Sequence, residues 1–480
     1  MKSFLSIIIM LCGFMLLASE NIDIEISNNP YFSKKILMQE ISGKKIAGHR
    51  DLVDNILSFY VDKSFPFAVV KIDSIKTDDD MTTYFLNIDA KDYVKIRNIT
   101  FSGNELTKDR PLRLISGLTA GQRFDEGRLL NAKSRLYRTG LFKKIPETKL
   151  YRDGKGHSIN FLLSEKKYNE ILLLGGYSSL NAEKVFSGLV RIETDNLFGT
   201  MRKAFLRWNR SGDVSEKFEF YYKEPFFFKY LISSEFEFVQ NYFERLYLSR
   251  SVKFSQNFEL DPKSFITYGY SKKIFYPDSL YSKMSREITE RRYFGGMEFS
   301  TLVNNRYIPQ DKGFLLDIEF SSLNIAFQDS SKIDGINIKA KAELISLFGK
   351  SLILNPSILY EQILIKQKLP EFSRMYFGGA DSFRGYREDL FRTDLLLIQS
   401  VDIFFLTDQE GTAFNLFTDI CQYNAKNSNA DKLKDLSGLR SYGGGITFEK
   451  DNGSIQITVA VPEKEGFGSA VMHAKYSVKF

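Results

Sequence analysis

Two hydrophobic patterns divide the chain near residue 170. Before that point, short alternating segments are separated by stretches with helical spacing; Leu52, Ile56 and Tyr60, for example, lie on one face of a predicted helix. After it, apolar and polar residues alternate in segments of about ten residues, separated by turns and loops. The patterns predict α+β domains followed by an all-β region.

The α+β part is a diverged internal repeat with the order β-α-α-β-β. In its first copy, a strand at 22–26 is followed by a short helix capped by Ser33, an amphipathic helix at 52–61 and a hairpin over 68–90. The hairpin tip is Asp78-Asp79-Asp80, which we interpret as a solvated turn in preference to a metal site.

The second copy has the same order and a clear turn signal at Gly103-Asn104 after its first strand. We expect Asp125 to cap its long helix and Gly140 to end that helix. The remaining predicted elements are Ile96–Ser102, Leu112–Ser116, Leu141–Tyr151 and His157–Ser164.

The all-β region contains about sixteen alternating segments, the even number typical of a single-chain bacterial barrel. Near its end, Ile455, Ile457 and Val459 form one face of a strand while Ser454 and Thr458 lie on the other. This parity suits lipid outside and a wet lumen inside. A soluble β-sandwich is the alternative interpretation, but the length and the Phe-rich faces favour a barrel, for which we predict sixteen antiparallel strands.

The N-terminus indicates export. Lys2 precedes an apolar run at Ile7–Leu17, and Ala18 and Ser19 follow, which is the pattern of a cleaved signal peptide over residues 1–19. An uncleaved anchor is the alternative, but the run is shorter than the ~20 residues that a spanning helix needs. Cleavage leaves Cys421 as the one cysteine, so no intramolecular disulfide is expected. An exported, strand-rich chain of this kind points to a bacterial outer membrane.

Composition and motifs argue against several other functions. The net charge of +7 is a small excess in a chain with 66 basic and 59 acidic residues, so we expect no nucleic-acid partner. His49, His157 and His473 are far apart and lack metal-ligand spacing. Since neither a phosphate-binding loop nor a nucleophile elbow is present, we expect no cofactor and no enzymatic activity.

One loop, Tyr376–Arg387, stands out because Gly378, Gly379 and Gly385 allow the chain to fold tightly back on itself. A lone Arg in such a loop is by default a solvated surface charge. If the loop instead folds into a polar barrel lumen, Arg384 needs a carboxylate partner there. With both termini in the periplasm, the loop lies on the extracellular side, between about the eleventh and twelfth strands.

This loop resembles the (V/I)RG(F/Y) signature on the sixth surface loop of outer-membrane barrels that carry POTRA domains, the BamA/TamA-like superfamily. The residues that match or flank the signature are Ser382, Phe383, Arg384, Gly385 and Tyr386. The segments ITFSGN and YRTGLFKKI of the second repeat copy similarly resemble the POTRA domain.

Two further likenesses imply roles for single residues. Phe417-Thr418-Asp419 resembles the F-x-D-x-G strand of the superfamily, in which the Asp pairs with the loop Arg, although Cys421 replaces the Gly here. The terminal Phe480, together with Tyr476, resembles the C-terminal aromatic signal that is recognised when such barrels are inserted. The resemblance thus implies a signal peptide at 1–19, a POTRA-like domain at 20–93, a POTRA domain at 94–167 and a transmembrane barrel at 168–480.

The implied function is insertion of barrel proteins into the outer membrane, or translocation of proteins across it. Gly175 and Gly176 are expected to weaken the first strand at the seam, where a client strand could be templated. The implied partners are unfolded outer-membrane or secreted clients, outer-membrane lipid and lipopolysaccharide, and periplasmic accessory proteins.

The alternative function is a two-partner secretion transporter, which the number of small domains fits. We favour it less, because the interval between Ser19 and Ile22 leaves no room for the plug helix that usually precedes such domains. A passive porin or surface receptor is less favoured still, because of the repeated small domain.

Overall fold

The computed structural model describes most of the chain after residue 20. The described residues are 21–42, 44, 46, 48–78, 81–154, 156–180, 183–211, 215–227, 231–243, 247–277, 287–302, 308–309, 312–329, 331–380, 382–386, 389–407, 411–425, 436–450, 452–464 and 466–479, with the backbone alone described at 21, 174–180, 183–187 and 211. The predicted signal peptide and Phe480 lie outside them. The chain forms two compact units, the smaller comprising the described residues up to Thr100, Leu118–Leu130 and Lys149–Asn160.

The first repeat copy folds as β1 (Asn21–Ser27), α1 (Lys34–Ile41), α2 (His49–Asp62), β2 (Val69–Asp78) and β3 (Met81–Asp89). The sheet order is β1-β3-β2, and β1 runs parallel to β3. Ser33 precedes α1 as predicted, but its side chain makes no capping hydrogen bond. The fully buried core of this domain contains apolar residues from every element except β2. Among them are Ile24, Leu37, Leu52, Ile56, Tyr60, Leu86 and Ile88.

The second copy folds as β4 (Ile96–Ser102), α3 (Asp109–Ser116), α4 (Glu126–Arg138), β5 (Glu147–Asp153) and β6 (Gly156–Leu162), with the sheet order β4-β6-β5. The cap at Asp125 forms, because its Oδ1 accepts the backbone N–H of Arg128 at 2.9 Å. The strand predicted to start at Leu141 starts at Glu147 instead; before it, Phe142 forms an isolated bridge to Glu165.

The all-β region is a closed barrel of sixteen strands, and every neighbouring pair is antiparallel. The predicted fold class is therefore confirmed. The strands are β7 (Asn169–Leu180), β8 (Glu183–Leu197), β9 (Arg202–Ser211), β10 (Ser215–Glu224), β11 (Ile232–Phe243), β12 (Tyr247–Asp261), β13 (Ser264–Pro277), β14 (Ile288–Ser300), β15 (Gly313–Phe327), β16 (Lys332–Phe348), β17 (Leu352–Ile365), β20 (Leu395–Leu406), β21 (Thr412–Tyr423), β22 (Ser437–Lys450), β23 (Gly453–Pro462) and β24 (Val471–Lys479).

The strands have the predicted two-sided character. On β23, Ile455, Ile457 and Val459 are exposed on the outer face while Ser454 and Thr458 are buried. The sequence NFELD at 257–261 predicts a short connection, but this prediction is wrong, because β12 continues to Asp261 and the chain reverses at 262–263. Over the described residues, helices long and apolar enough to cross a membrane are absent.

The loop singled out by the sequence joins the eleventh strand, β17, to the twelfth, β20. Two short strands within it, β18 (Met375–Phe377) and β19 (Phe391–Thr393), form an antiparallel hairpin whose tip contains Arg384. Asp419 lies on β21, the thirteenth strand.

Candidate functional site

The tip of the loop is held in shape by its own hydrogen bonds. Gly378, Gly379 and Gly385 have φ values of 120°, 100° and 89°, a region that side chains with a Cβ rarely adopt. The Ser382 hydroxyl accepts the N–H of Gly378 at 2.9 Å and donates to its carbonyl at 2.8 Å. The N–H of Gly379 donates to the carbonyl of Phe383 at 3.1 Å. These bonds close a compact turn that presents Arg384.

The guanidinium of Arg384 binds two carboxylates. Its Nε and Nη2 donate to the two oxygens of Asp419 at 2.8 and 2.6 Å. Its Nη1 and Nη2 donate to the two oxygens of Asp402 at 2.7 and 3.0 Å. The backbone N–H of Arg384 adds a longer bond of 3.3 Å to Asp419. The planar fork of Arg can hold two carboxylates in this way, whereas Lys offers a point charge.

An aromatic ring completes the site. The guanidinium carbon of Arg384 lies 3.6 Å from the centre of the Phe417 ring. Asp402 and Phe417 face each other across β20 and β21, so one strand pair supplies both contacts. Gly443 on β22 makes room for the ring, because a Cβ there would lie 2.7 Å from the Phe417 Cζ and 2.1 Å from the carbonyl oxygen of Val459.

The charges of the site are largely withdrawn from solvent. The exposed side-chain fractions are 18% for Arg384, 17% for Asp402 and 1% for Asp419. Burial opposes the charged guanidinium, but the hydrogen bonds that it donates to Asp419 and Asp402 outweigh the effect of burial and raise the pKa of Arg384 above its ordinary value. Arg384 therefore stays charged at any physiological pH.

An apolar cluster packs beside the ion pair. It contains Phe383 and Tyr386 of the loop tip, whose rings stack at 5.3 Å, and Cys421, which is completely buried. Cys421 stands where the superfamily pattern has Gly, and its side chain contributes to this cluster. Gly385 approaches β22 closely, because a Cβ added to it would lie 3.0 Å from the Cβ of Ser441.

The sequence pattern identified Arg384 and Asp419, and the structure brings them together. It did not identify Asp402, although this residue is the one charged side chain in β20, LLLIQSVDIFFL. The sequence did contain a signal for Asp402: a single carboxylate in an apolar barrel strand needs a cationic partner.

The seam that closes the barrel is short. Among the described residues, β7 pairs with β24 through Glu170, Ile171 and Leu172, opposite Lys479, Val478 and Ser477. Gly175 and Gly176 lie beyond these pairs and pair on their other side with Gly188 and Ser187 of β8. On β24, the ring of Tyr476 is exposed on the outer face, with a relative exposure of 52%.

The second small domain touches the barrel turn between β8 and β9. The side-chain amide of Asn196 donates to the Thr107 hydroxyl at 2.7 Å, and the N–H of Lys108 donates to the carbonyl of Gly199 at 2.9 Å. A Cβ at Gly199 would lie 2.3 Å from the carbonyl oxygen of Leu106. Gly199 thus permits close backbone contact at this turn.

The described residues hold no group of three or more His, Cys, Asp or Glu side chains that could bind a metal ion. The chemistry that the site offers is ion pairing and strand pairing.

Comparisons with known proteins agree with this architecture. The POTRA family, described as "Surface antigen variable number repeat", matches residues 94–166. The outer membrane protein assembly factor BamA of Neorickettsia risticii (strain Illinois) is 24% identical over 212 residues, which span 43% of this chain and 28% of that protein.

Two solved structures share the fold over almost the whole chain. BamA from Haemophilus ducreyi lacking POTRA domains 1–3 has a TM-score of 0.52 and 15% identity, with coverage of 95% of this chain and 98% of that one. CdiB from Acinetobacter baumannii has a TM-score of 0.59 and 12% identity, with coverage of 96% and 90%.

The chain thus combines a domain that matches the POTRA family, at residues 94–166, with a closed sixteen-stranded β-barrel. BamA and CdiB share this fold, and the matched BamA segment spans about a quarter of the length of that protein.

Proposed function

We propose that this protein inserts barrel proteins into the outer membrane by pairing client strands at its seam and at the sheet edges of its small domains. The observation that carries the proposal is the short seam. Whereas β23 and β24 pair from Gly453 to Ala460 on the β23 side, β24 and β7 pair through Glu170–Leu172 among the described residues.

The physical basis is the cost of unpaired backbone groups in lipid. Each unpaired N–H or C=O group in the hydrocarbon core is unfavourable by several kcal/mol, on the order of its desolvation cost. A client strand that pairs with β7 or β24 satisfies such groups on both chains. Burial of the client in the bilayer supplies the driving force, so no nucleotide is required.

The sheet edges of the small domains offer a second place for extended chains. In the order β1-β3-β2, the edge strands are β1 and β2, and in the order β4-β6-β5 they are β4 and β5. An extended peptide can add to such an edge through its main chain. A bulge between Ile72 and Ser74 interrupts β2, and edge bulges discourage pairing, so we favour β1 as the docking edge of the first domain.

A disulfide across the seam tests the proposal. Ile171 and Val478 are direct partners, at a spacing that suits a disulfide in antiparallel strands. Oxidised Ile171→Cys/Val478→Cys protein in liposomes should fail to insert an unfolded barrel client, and reduction should restore insertion. The matched control is Ile266→Cys/Met297→Cys, which joins the fully paired strands β13 and β14 and should insert clients whether oxidised or reduced. Equal insertion by the oxidised seam variant would refute templating at the seam.

A two-partner secretion transporter is the second candidate, and the similarity to CdiB, with a TM-score of 0.59, supports it. Transport through the lumen needs no seam opening, so a secreted client should still cross when the seam is locked. Depletion of the protein separates the candidates in cells: loss of outer-membrane proteins supports assembly, and loss of secreted proteins supports transport.

A further inference from the structure

The first limb of the loop, residues 366–377, contacts barrel strands other than those that bind Arg384. The Phe372 ring lies 4.6 Å from that of Phe275 on β13, centre to centre. The Tyr376 hydroxyl lies 2.8 Å from that of Tyr247 on β12. These are the sixth and seventh barrel strands, whereas Arg384 binds the twelfth and thirteenth.

A buried carboxylate lies at the centre of this second contact. Glu290 on β14 has a relative exposure of 4%, and its Oε1 accepts the Nε of Arg292 at 2.7 Å. Its Oε2 accepts the hydroxyl of Ser373 in the loop at 2.8 Å. A buried carboxylate is costly unless its oxygens are hydrogen-bonded, so the loop supplies a donor that the wall itself needs.

Apolar packing reinforces the polar contacts. Leu369, with a relative exposure of 2%, belongs to one buried cluster with side chains of five barrel strands, and Phe372 and Met375 pack against that cluster. The barrel residues of the cluster are Tyr247, Phe275, Ile288, Leu323, Ile325 and Ile363.

We propose that Ser373, Tyr376 and Phe372 form a second anchor, which holds the loop across the lumen independently of Arg384. Each anchor contacts its own group of strands, and the two share no side-chain partner among the hydrogen bonds described above. Arg384 fixes the tip of the loop, and the second anchor positions the limb that leads to it. If the tip alone is released, the first limb therefore still crosses the lumen. The loop opens in two separate steps.

Arg374 reports the state of the second anchor. It lies between Ser373 and Met375 and has a relative exposure of 8%, so trypsin cannot reach the bond after it while the limb is docked. Lys366 and Lys368 are exposed on the same limb and would be cut in any state. The experiment therefore uses folded protein in liposomes with Lys366→Gln and Lys368→Gln, and mass spectrometry identifies cleavage after Arg374.

Four variants are compared in this background: Arg384→Ala, Ser373→Ala/Tyr376→Phe, the combination of all three changes, and Tyr293→Phe. Tyr293→Phe is the control for the loss of a hydroxyl, because that ring is exposed on the outer face of the barrel. Resistance to SDS without heating establishes that each variant is folded. If Ser373→Ala/Tyr376→Phe does not fold, Tyr376→Phe alone takes its place.

We expect cleavage after Arg374 to accelerate about tenfold in the second-anchor variant, since two hydrogen bonds are lost and proteolysis follows the open population. Arg384→Ala and Tyr293→Phe should cleave at the parent rate, and the combined variant should cleave like the second-anchor variant or faster. The inference would be overturned if Arg384→Ala alone were cleaved after Arg374 as fast as the combined variant. So would unchanged protection in the second-anchor variant.

Discussion

The guanidinium of Arg384 lies over the ring of Phe417, with its central carbon 3.6 Å from the ring centre. The two aspartates accept hydrogen bonds from the N–H groups at the edges of the guanidinium, so they leave its face free to contact the ring. A cation over an aromatic face gains about 0.5–2 kcal/mol, more when water is excluded. Shape as well as charge therefore selects Arg at this position.

The first prediction concerns the ion pairs. Arg384→Ala leaves two largely buried carboxylates without their cation, so we expect a loss of barrel stability of about 3–5 kcal/mol. Arg384→Lys should recover less than half of this loss, because an ammonium cannot bind both carboxylates and the ring together. Unfolding by urea in lipid, followed by the mobility of unheated samples in SDS, measures the change.

A double-mutant cycle tests whether the aspartates act through Arg384. Asp419→Ala should be more damaging than Asp402→Ala, because Asp419 is 1% exposed and Asp402 17%. The loss in Arg384→Ala/Asp419→Ala should be smaller than the sum of the single losses. Strict additivity would show that the two residues act independently.

The second prediction concerns the glycine beneath the ring. Gly443→Ala should destabilise the barrel by about 1–3 kcal/mol, because the new methyl group would meet both the Phe417 ring and the Val459 carbonyl. Gly438→Ala is the matched control: it lies on the same strand, and a Cβ there meets nothing within 4 Å. Equal stability of the two variants would contradict the packing argument.

The third prediction concerns the turn that touches the second small domain. Gly199→Ala should break the bond from the Lys108 N–H to the Gly199 carbonyl, because the methyl group would approach the Leu106 carbonyl to 2.3 Å. Hydrogen exchange at the Lys108 amide should then accelerate. Gly349→Ala controls for backbone strain, since Gly349 has a similar φ of 65° against 71° and open space around it. Unchanged exchange at Lys108 would show that the turn tolerates the methyl group.

The fourth prediction concerns barrel insertion. Deletion of Phe480 should lower the amount of folded, heat-modifiable barrel in the outer membrane if the C-terminal aromatic is recognised during insertion. Tyr476→Ser should have a similar, smaller effect, because the Tyr476 ring is exposed on the outer face and available for recognition. Val478→Ser is the control on the same face of β24. Normal levels after deletion of Phe480 would make it an ordinary interfacial residue.

The sequence predicted the fold through local periodicity and the Arg384–Asp419 pair through resemblance. Strand alternation and helical spacing are local properties, so sixteen strands and two β-α-α-β-β units could be counted from them. The turn at 257–261 was misplaced because Asn257, Glu259 and Asp261 alternate with apolar residues at the end of β12, and polar residues alone do not distinguish a strand end from a turn.

The second anchor could not be predicted in this way. Ser373 and Glu290 are far apart in the sequence, and nothing in either local pattern indicates that they meet. Their contact depends on the path of the loop across the barrel, which only the closed sheet defines. Asp402 lies between these two cases. Its position as a single charged residue among apolar ones indicates that it needs a partner, but it does not indicate which residue that partner is.

The burial of Cys421 has a practical consequence. The chain has two cysteines, and Cys12 lies in the predicted signal peptide, which leaves Cys421 as the native thiol of the processed protein. Its side chain is 0% exposed, so maleimide dyes and spin labels cannot reach it in the folded state. A cysteine introduced on the outer surface or in a loop would therefore carry the label alone. Single-molecule fluorescence and electron paramagnetic resonance could follow the motion of one chosen position in an otherwise unmodified barrel.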